Sequence, residues 1–124
     1  MKDYEVKIAA SSHDLTARER LMYKDTSNAV RLDEATAKGA IVITPVAYAV
    51  LEIHNEKGDD KDYNNYVVVD SEGNKYVTGS SSFWKAFEDI WDEMSGENEP
   101  FEIEIYRLES KNYKGKQFIT CSIH

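Results

Sequence analysis

Ala40–His54 reads AIVITPVAYAVLEIH, and this run of Ile, Val, Ala and Tyr is the clearest β-strand pattern in the sequence. Pro45 interrupts the run. Because proline has no N–H to donate to a strand ladder, it predicts a bulge or a sheet edge at that position. The strand therefore anchors a sheet, and the segments that follow it supply its partners.

A β-hairpin is predicted next. Tyr66–Asp70 and Lys75–Thr78 are strand-like, and Ser71-Glu72-Gly73-Asn74 between them is a strong turn signal. The polar stretch Asn55–Asn65 before the hairpin is predicted to be a loop.

A helix and two strands complete the chain. The helix has cap candidates at Ser80–Ser82 and a stop at Gly96, and the strands are Phe101–Leu108 and Gln117–Ile123. From residue 40 the order is strand, strand, strand, helix, strand, strand. That order predicts a mainly β fold, an OB-like five-stranded barrel with a helix between strands three and four.

The first part of the chain precedes this barrel. Tyr4, Val6 and Ile8 alternate with charged residues, which indicates a short strand, and Thr16-Ala17-Arg18-Glu19 is a capping box that begins a helix ending near Lys24. Ala29–Leu32 is a candidate short strand. We therefore predict one domain over residues 1–124, with a strand–helix addition at 1–39 and the OB-like barrel at 40–124.

Composition limits the function classes. The net charge is -8. Because Cys121 is the single cysteine, no internal disulfide can form. No apolar run is long enough to span a membrane, and the N-terminus has no apolar signal core, so the expected location is intracellular.

No catalytic or metal motif is present in the sequence. Asp59-Asp60-Lys61-Asp62 lacks EF-hand spacing, and Cys121 and His124 lack two further ligands at zinc spacing. With no phosphate-binding glycine loop, nucleophile elbow or Cys/His dyad, the chain is predicted not to be an enzyme and to need no cofactor.

The segment Ser110–Lys116 differs from the rest of this acidic chain. It reads SKNYKGK, with three lysines, a tyrosine and no acid. Lysines neutralise phosphates and an aromatic ring stacks on a base, so the loop could hold a nucleic-acid strand. Taken alone, the segment favours a solvated hairpin loop, in which lysine and glycine are ordinary, and its position in the predicted barrel is what supports the binding role.

Tyrosines on the neighbouring strands could extend such a site, although tyrosine is also simply a favoured strand residue. In Phe101–Leu108, Tyr106 alternates with the apolar residues and is predicted to point away from them. The candidate nucleic-acid-binding residues are Tyr66, Tyr76, Tyr106, Arg107, Lys111, Tyr113, Lys114 and Lys116.

The predicted helix has an apolar and an acidic side. The apolar side is expected to fill the core, and it consists of Phe83, Phe87, Ile90, Trp91 and Met94. Trp84 lies away from the centre of this side and is expected to be partly exposed. The acidic side is either a solvated face or an imitation of a phosphate backbone that occupies another protein's DNA site; its members are Glu88, Asp89, Asp92 and Glu93.

Several segments resemble small single-stranded DNA-binding proteins of tailed phages that infect Gram-positive bacteria. The best of them are the acid-Gly-x-x-Tyr hairpin, Glu72 to Tyr76, and the Lys-Gly-x-x-Phe segment, Lys114 to Phe118, within a likeness over about residues 39–123. The resemblance implies that the chain coats single strands without sequence specificity or catalysis. It gives the stacking role to Tyr76 and the loop role to Lys114 and Lys116. The N-terminal helix is outside the family pattern, and there is no acidic C-terminal tail.

The expected function is therefore that of an early phage protein that binds single-stranded DNA during replication or recombination, in the cytoplasm of the infected host cell. Replication or recombination proteins are further candidate partners, a homo-oligomer is left open, and no membrane partner is expected. The alternative is an acidic inhibitor that binds a host protein through helix 83–94.

Overall fold

The computed structural model describes residues 4–58, 61–111 and 115–124. In chain order its elements are β1 (Tyr4–Ser11), α1 (Ala17–Lys24), β2 (Val30–Arg31), α2 (Leu32–Ala35), β3 (Ile41–Ile43), β4 (Pro45–Asn55), β5 (Asp62–Asp70), β6 (Lys75–Thr78), α3 (Ser81–Met94), a 3-10 turn (Ser95–Glu97), β7 (Ile103–Glu109) and β8 (Gln117–Ile123). The fold is mainly β, as predicted.

The strands form two open sheets and no closed barrel. A five-stranded sheet has the order β1-β4-β5-β6-β2, and a three-stranded sheet has the order β3-β7-β8. Within the described residues, β8 pairs only with β7 and β6 pairs only with β5 and β2. The prediction that the OB-like barrel closes is therefore wrong. The short strand β2 pairs in parallel with β6, and the last strand, β8, does not pair with β6.

The run Ala40–His54 serves both sheets. Its first part, β3, pairs with β7, whereas β4 pairs with β1 and β5. The β4–β5 register shifts between Pro45 and Ala47, which confirms the predicted irregularity at Pro45.

Two strands from the N-terminal part of the chain form the two edges of the larger sheet. β1 pairs with β4 from Tyr4 to Ser11, and β2 pairs with β6 through Val30 and Arg31. The capping box at α1 is confirmed, since the Thr16 hydroxyl accepts from the Glu19 N–H at 3.1 Å and the Glu19 carboxylate accepts from the Thr16 N–H at 3.0 Å.

Both faces of the five-stranded sheet are covered. One face packs against α1 through Tyr23, and we call this the α1 cluster; its other buried members are Ala47, Ala49, Leu51, Ile53, Val67 and Val77. The opposite face packs against α3 and the three-stranded sheet, and we call this the α3 cluster; its buried members include Leu32, Ile43, Val68, Phe83, Trp84, Phe87, Ile103, Ile105, Ile119 and Cys121.

Trp84 belongs to the α3 cluster, against the prediction of partial exposure. Its side chain is only 7% exposed because its indole stacks on the Tyr66 ring, with centroids 4.8 Å apart and an interplanar angle of 8°. The tyrosines of β4 and β5 widen the apolar surface that α3 covers, so the helix buries one more position than its own periodicity indicates.

Two element boundaries in the structure differ from the predicted ones. The loop before the hairpin is shorter than Asn55–Asn65, because β4 runs to Asn55 and β5 begins at Asp62. The polar residues at these strand ends lie where the β4–β5 hairpin extends into solvent. Helix α3 begins after the Ser80 cap, and the left-handed residue beyond its end is Asn98 rather than Gly96.

Candidate functional site

Tyr66 and Tyr76 lie on the face of the large sheet that α3 covers. The Tyr66 ring stacks on Trp84, and the Tyr76 hydroxyl donates to the Asp70 carboxylate at 2.9 Å. Burial, and then the hydrogen bond to Asp70, raise the pKa of Tyr76 to about 12. Val77 faces the α1 cluster, and Tyr76 on the opposite face does not face an open cleft, because that face is packed against the α3 cluster.

Arg107 also has internal partners. It follows Ile105 on the inward side of β7, and its Nε donates to the Thr36 hydroxyl at 3.1 Å. Its guanidinium also donates to the backbone carbonyl of Asp33. These contacts connect β7 with the short helix α2, on the side of the small sheet away from Tyr106.

Tyr106 lies on the outward side of β7, as the alternation predicts. Ile103 and Ile105 are fully buried, whereas Tyr106 is half-buried and takes no part in the α3 cluster. Its hydroxyl lies 2.6 Å from the Ser122 hydroxyl on β8. This bond fixes the ring over the small sheet.

The outward side of the three-stranded sheet, which we call the outer face, carries exposed apolar side chains. Tyr106 is directly opposite Thr120, and Leu108 is directly opposite Phe118. Phe118 is thus the diagonal neighbour of Tyr106, a spacing at which aromatic side chains can reach each other. Phe118 is 37% exposed, and Leu108 and Val42 are also exposed. None of the residues that the structure describes forms a layer over this face.

The sequence prediction omits Phe118 from the candidate residues. Its alternation with Ile119 and Cys121, both buried, places it on the same side as Thr120. The sequence does not reveal that Phe118 pairs with Leu108, and this pairing puts Phe118 beside Tyr106.

The segment Ser110–Lys116, which we call the lysine segment, joins β7 to β8 at one end of the outer face. The Ser110 N–H donates to the Lys116 carbonyl at 2.9 Å and closes the connection. Gly115 has a φ of 82°, a left-handed conformation that favours glycine. Lys111 and Lys116 are exposed, whereas the predicted site residues Tyr113 and Lys114 lie outside the described residues.

Comparisons with protein-family models, curated proteins and solved structures found no match. The candidate site therefore rests on the geometry of this chain alone.

The acidic residues lie mostly away from the outer face. The helix α3 packs on the inward side of the small sheet, and its acidic side chains are exposed on the far side of the helix. On the outer face itself, Glu104 lies between Val42 and Ser122, at the end away from the lysine segment. On the outer face, the lysines thus lie at one end and the carboxylate of Glu104 at the opposite end.

The residues described here contain no group of three or more side chains placed to hold a metal ion. Cys121 is buried in the α3 cluster, and burial raises the pKa of its thiol to about 12, which disfavours the thiolate that a metal requires. Asp59 and Asp60 lie outside the described residues. In the part of the chain that the structure covers, no helix has the length and apolar character needed to cross a bilayer.

Proposed function

We propose that the chain binds single-stranded DNA on its outer face, without sequence preference. The observation that carries the proposal is the diagonal pair of half-buried Tyr106 and exposed Phe118, on an open sheet face next to the lysine segment. Aromatic rings on an open sheet are an effective platform for unpaired bases, and every base has a π-face that can stack.

The lysine segment supplies the electrostatic part of binding. Lys111 and Lys116 lie at the end of the outer face where β8 begins, close in sequence to Phe118. A strand whose bases stack on Phe118 and Tyr106 can direct its phosphates toward these cations. A duplex does not fit this mode, because its bases are stacked on each other and their faces are inaccessible.

The proposal changes the membership of the predicted site. Tyr66, Tyr76 and Arg107 are assigned to the fold, because their rings or donors already contact Trp84, Asp70 and Thr36. The site consists of Tyr106, Leu108, Phe118, Lys111 and Lys116, with Tyr113 and Lys114 expected in the connecting segment.

An OB-like origin is compatible with this arrangement. Two runs of three strands, β4-β5-β6 and β3-β7-β8, share the split strand β3–β4. In OB-folds the loop between the last two strands contributes to oligonucleotide binding, and the lysine segment is that loop here. The proposed role is the coating of single strands in phage DNA replication or recombination, inside the infected host cell.

The test is a titration of labelled oligothymidine, and of a duplex of equal length, followed by fluorescence anisotropy. We expect binding to the single strand only. Tyr106→Ala and Phe118→Ala should each lose about 1–3 kcal/mol, roughly a 5- to 150-fold rise in Kd. Tyr63→Ala, which removes an exposed ring from the other sheet, is the matched control and should bind normally. Unchanged affinity in both variants would refute the assignment.

The salt dependence tests the lysine segment in the same assay. Replacing Lys111, Lys114 and Lys116 by alanine should lower the log–log salt slope by about 0.7 for each lost phosphate contact. An unchanged slope would remove the segment from the site.

One observation supports a second candidate, an inhibitor that binds a basic site on a host protein. The sequence between Lys85 and Arg107 holds eight acids and no base, and all but Glu104 are exposed. The absence of any response to either oligonucleotide would favour this second function.

A further inference from the structure

The helix α1 presents two large apolar side chains to solvent. Leu21 is 69% exposed and Met22 is 61% exposed, and nothing in the described part of the chain covers them. The helix itself is held in place: Tyr23 is buried in the α1 cluster, and the Lys75 ammonium donates to the Met22 carbonyl at 2.6 Å. Leu21 and Met22 are therefore presented from a fixed element.

Three basic side chains share the helix with this apolar pair. Arg18, Arg20 and Lys24 are all exposed on α1. The acid of the helix, Glu19, is held by the His13 ring at 3.0 Å and by the Thr16 N–H. The surface that α1 offers thus combines two exposed apolar side chains with three exposed basic ones, and we call it the α1 knob.

A groove of complementary character lies on the other side of the molecule. It has a volume of about 490 Å³ and runs between the end of α3 and the ends of the small sheet. Its lining is part apolar and part polar, and consists of Thr44, Met94, Pro100, Phe101, Glu102, Ile123 and His124. Ile123 is exposed. We call this the α3 groove.

The border of the α3 groove is acidic. Glu102 lines it directly, and Asp92 and Glu93 immediately precede Met94 on α3. Glu97 and Glu99 occupy the connection from α3 toward Phe101, and all of these carboxylates are exposed. The groove therefore offers the α1 knob apolar side chains to contact and the opposite charge at its border.

The two surfaces cannot meet within one chain. Tyr23 of α1 packs on one face of the five-stranded sheet, whereas α3 and the small sheet pack on the opposite face. A contact between knob and groove must join two molecules, and it leaves one knob and one groove unused at the ends of the pair. Contacts of this heterologous kind propagate unless the rotation closes a ring.

We propose that copies of this chain associate head to tail, with the α1 knob of one molecule in the α3 groove of the next. The association needs no DNA, so it stands apart from the proposed binding function. It is weak and salt-sensitive, because its charges lie at exposed positions where ions screen them.

Sedimentation velocity of the nuclease-treated protein tests the proposal. At low ionic strength the weight-average sedimentation coefficient should rise with protein concentration, and at high salt it should return to the monomer value. A monomer at every concentration in low salt would overturn the proposal, and it would leave the oligothymidine experiment unaffected.

A mixing experiment tests the geometry. The knob variant is Leu21→Gln/Met22→Gln, and the groove variant is Glu102→Gln/Ile123→Gln; all four positions are exposed, so the fold should remain. Each variant alone should sediment as a monomer. An equimolar mixture should give a twofold increase in mass and nothing larger, because each partner has one intact surface and one blocked surface.

The control is Tyr4→Gln, which removes another exposed large side chain and should assemble like the parent chain. Circular dichroism of each variant establishes that loss of assembly is not loss of fold. Assembly of either variant alone, or a mixture that stays monomeric, would overturn the head-to-tail contact and point instead to a symmetric contact or to a different partner for the acidic groove.

Discussion

Asp70 organises the β5–β6 turn with a single buried side chain. Its carboxylate accepts from the backbone N–H groups of Asn74 at 2.8 Å and Glu72 at 3.0 Å, and from the Tyr76 hydroxyl at 2.9 Å. Burial acts to raise the pKa of Asp70, but the hydrogen bonds from Asn74, Tyr76 and Glu72 outweigh it, so the net pKa lies below the usual value of 3.8.

This lowered pKa makes stability depend on pH. The ionised form of Asp70 is favoured by folding, so its contribution is complete above the unfolded-state pKa and is lost as the pH falls through the folded-state pKa. We expect Asp70→Asn to lower the free energy of unfolding at neutral pH and to flatten its decline in acid, as followed by urea denaturation. Glu72→Gln, an exposed acid of the same turn, is the control. Equal losses of stability in acid for parent and Asp70→Asn would contradict the assignment.

For single residues, the tyrosines show which side-chain positions the sequence predicts and which it does not. Alternation along one strand places Tyr106 correctly, because the opposite side of β7 is plainly apolar. Alternation cannot identify an open face at Tyr76, since Val77 and Tyr76 each enter a different core. A strand buried on both faces looks half-exposed in sequence when one of its core residues is tyrosine.

The three serines at the start of α3 have different structural roles. The Ser80 hydroxyl accepts from the Phe83 N–H at 3.1 Å, and the Ser82 hydroxyl donates to the Ile119 carbonyl on β8 at 2.8 Å. Ser81 is exposed at the first helical position. The helix is therefore capped by the first serine and attached to the small sheet chiefly by the third, since the Ser80 hydroxyl reaches the same Ile119 carbonyl only at 3.4 Å.

Ser80→Ala should lower the free energy of unfolding by about 1 kcal/mol, because the Phe83 N–H loses its acceptor. Ser81→Ala is a matched control one residue away and should change it by less than about 0.5 kcal/mol. Urea denaturation of both variants measures the difference. Equal effects of the two substitutions would show that the cap bond does not stabilise the helix.

Elements defined by local patterns are predicted well. The capping box at Thr16 and the strand Gln117–Ile123 are confirmed, since capping and alternation are properties of neighbouring residues. The pairing of β2 with β6 is not predicted, because two residues of strand carry no periodicity and the choice depends on contacts distant in sequence.

For the whole molecule, the first 39 residues are structural rather than an appendage. They supply both edges of the five-stranded sheet, and Tyr23 covers its α1 face. Without them, Ala49, Leu51 and Val67 would lose the layer that excludes water. Unpaired edges and an exposed apolar face are both unfavourable for a sheet.

We therefore expect a chain of residues 40–124 to lack a cooperative unfolding transition in urea, whereas the full chain unfolds in one. Addition of a separate peptide covering residues 1–39 should restore the transition, since the missing strands can pair from outside. A cooperative transition in the 40–124 chain alone would contradict this role.

Cys121 gives the molecule an internal chemical reporter. It is the only cysteine of the chain, it lies in the α3 cluster, and its raised thiol pKa makes it unreactive in the native state. A thiol reagent can reach it only after β8 separates from α3. The rate of alkylation in native buffer therefore counts the rare openings of the small sheet, and the same assay with oligothymidine present records whether a ligand on the outer face slows them.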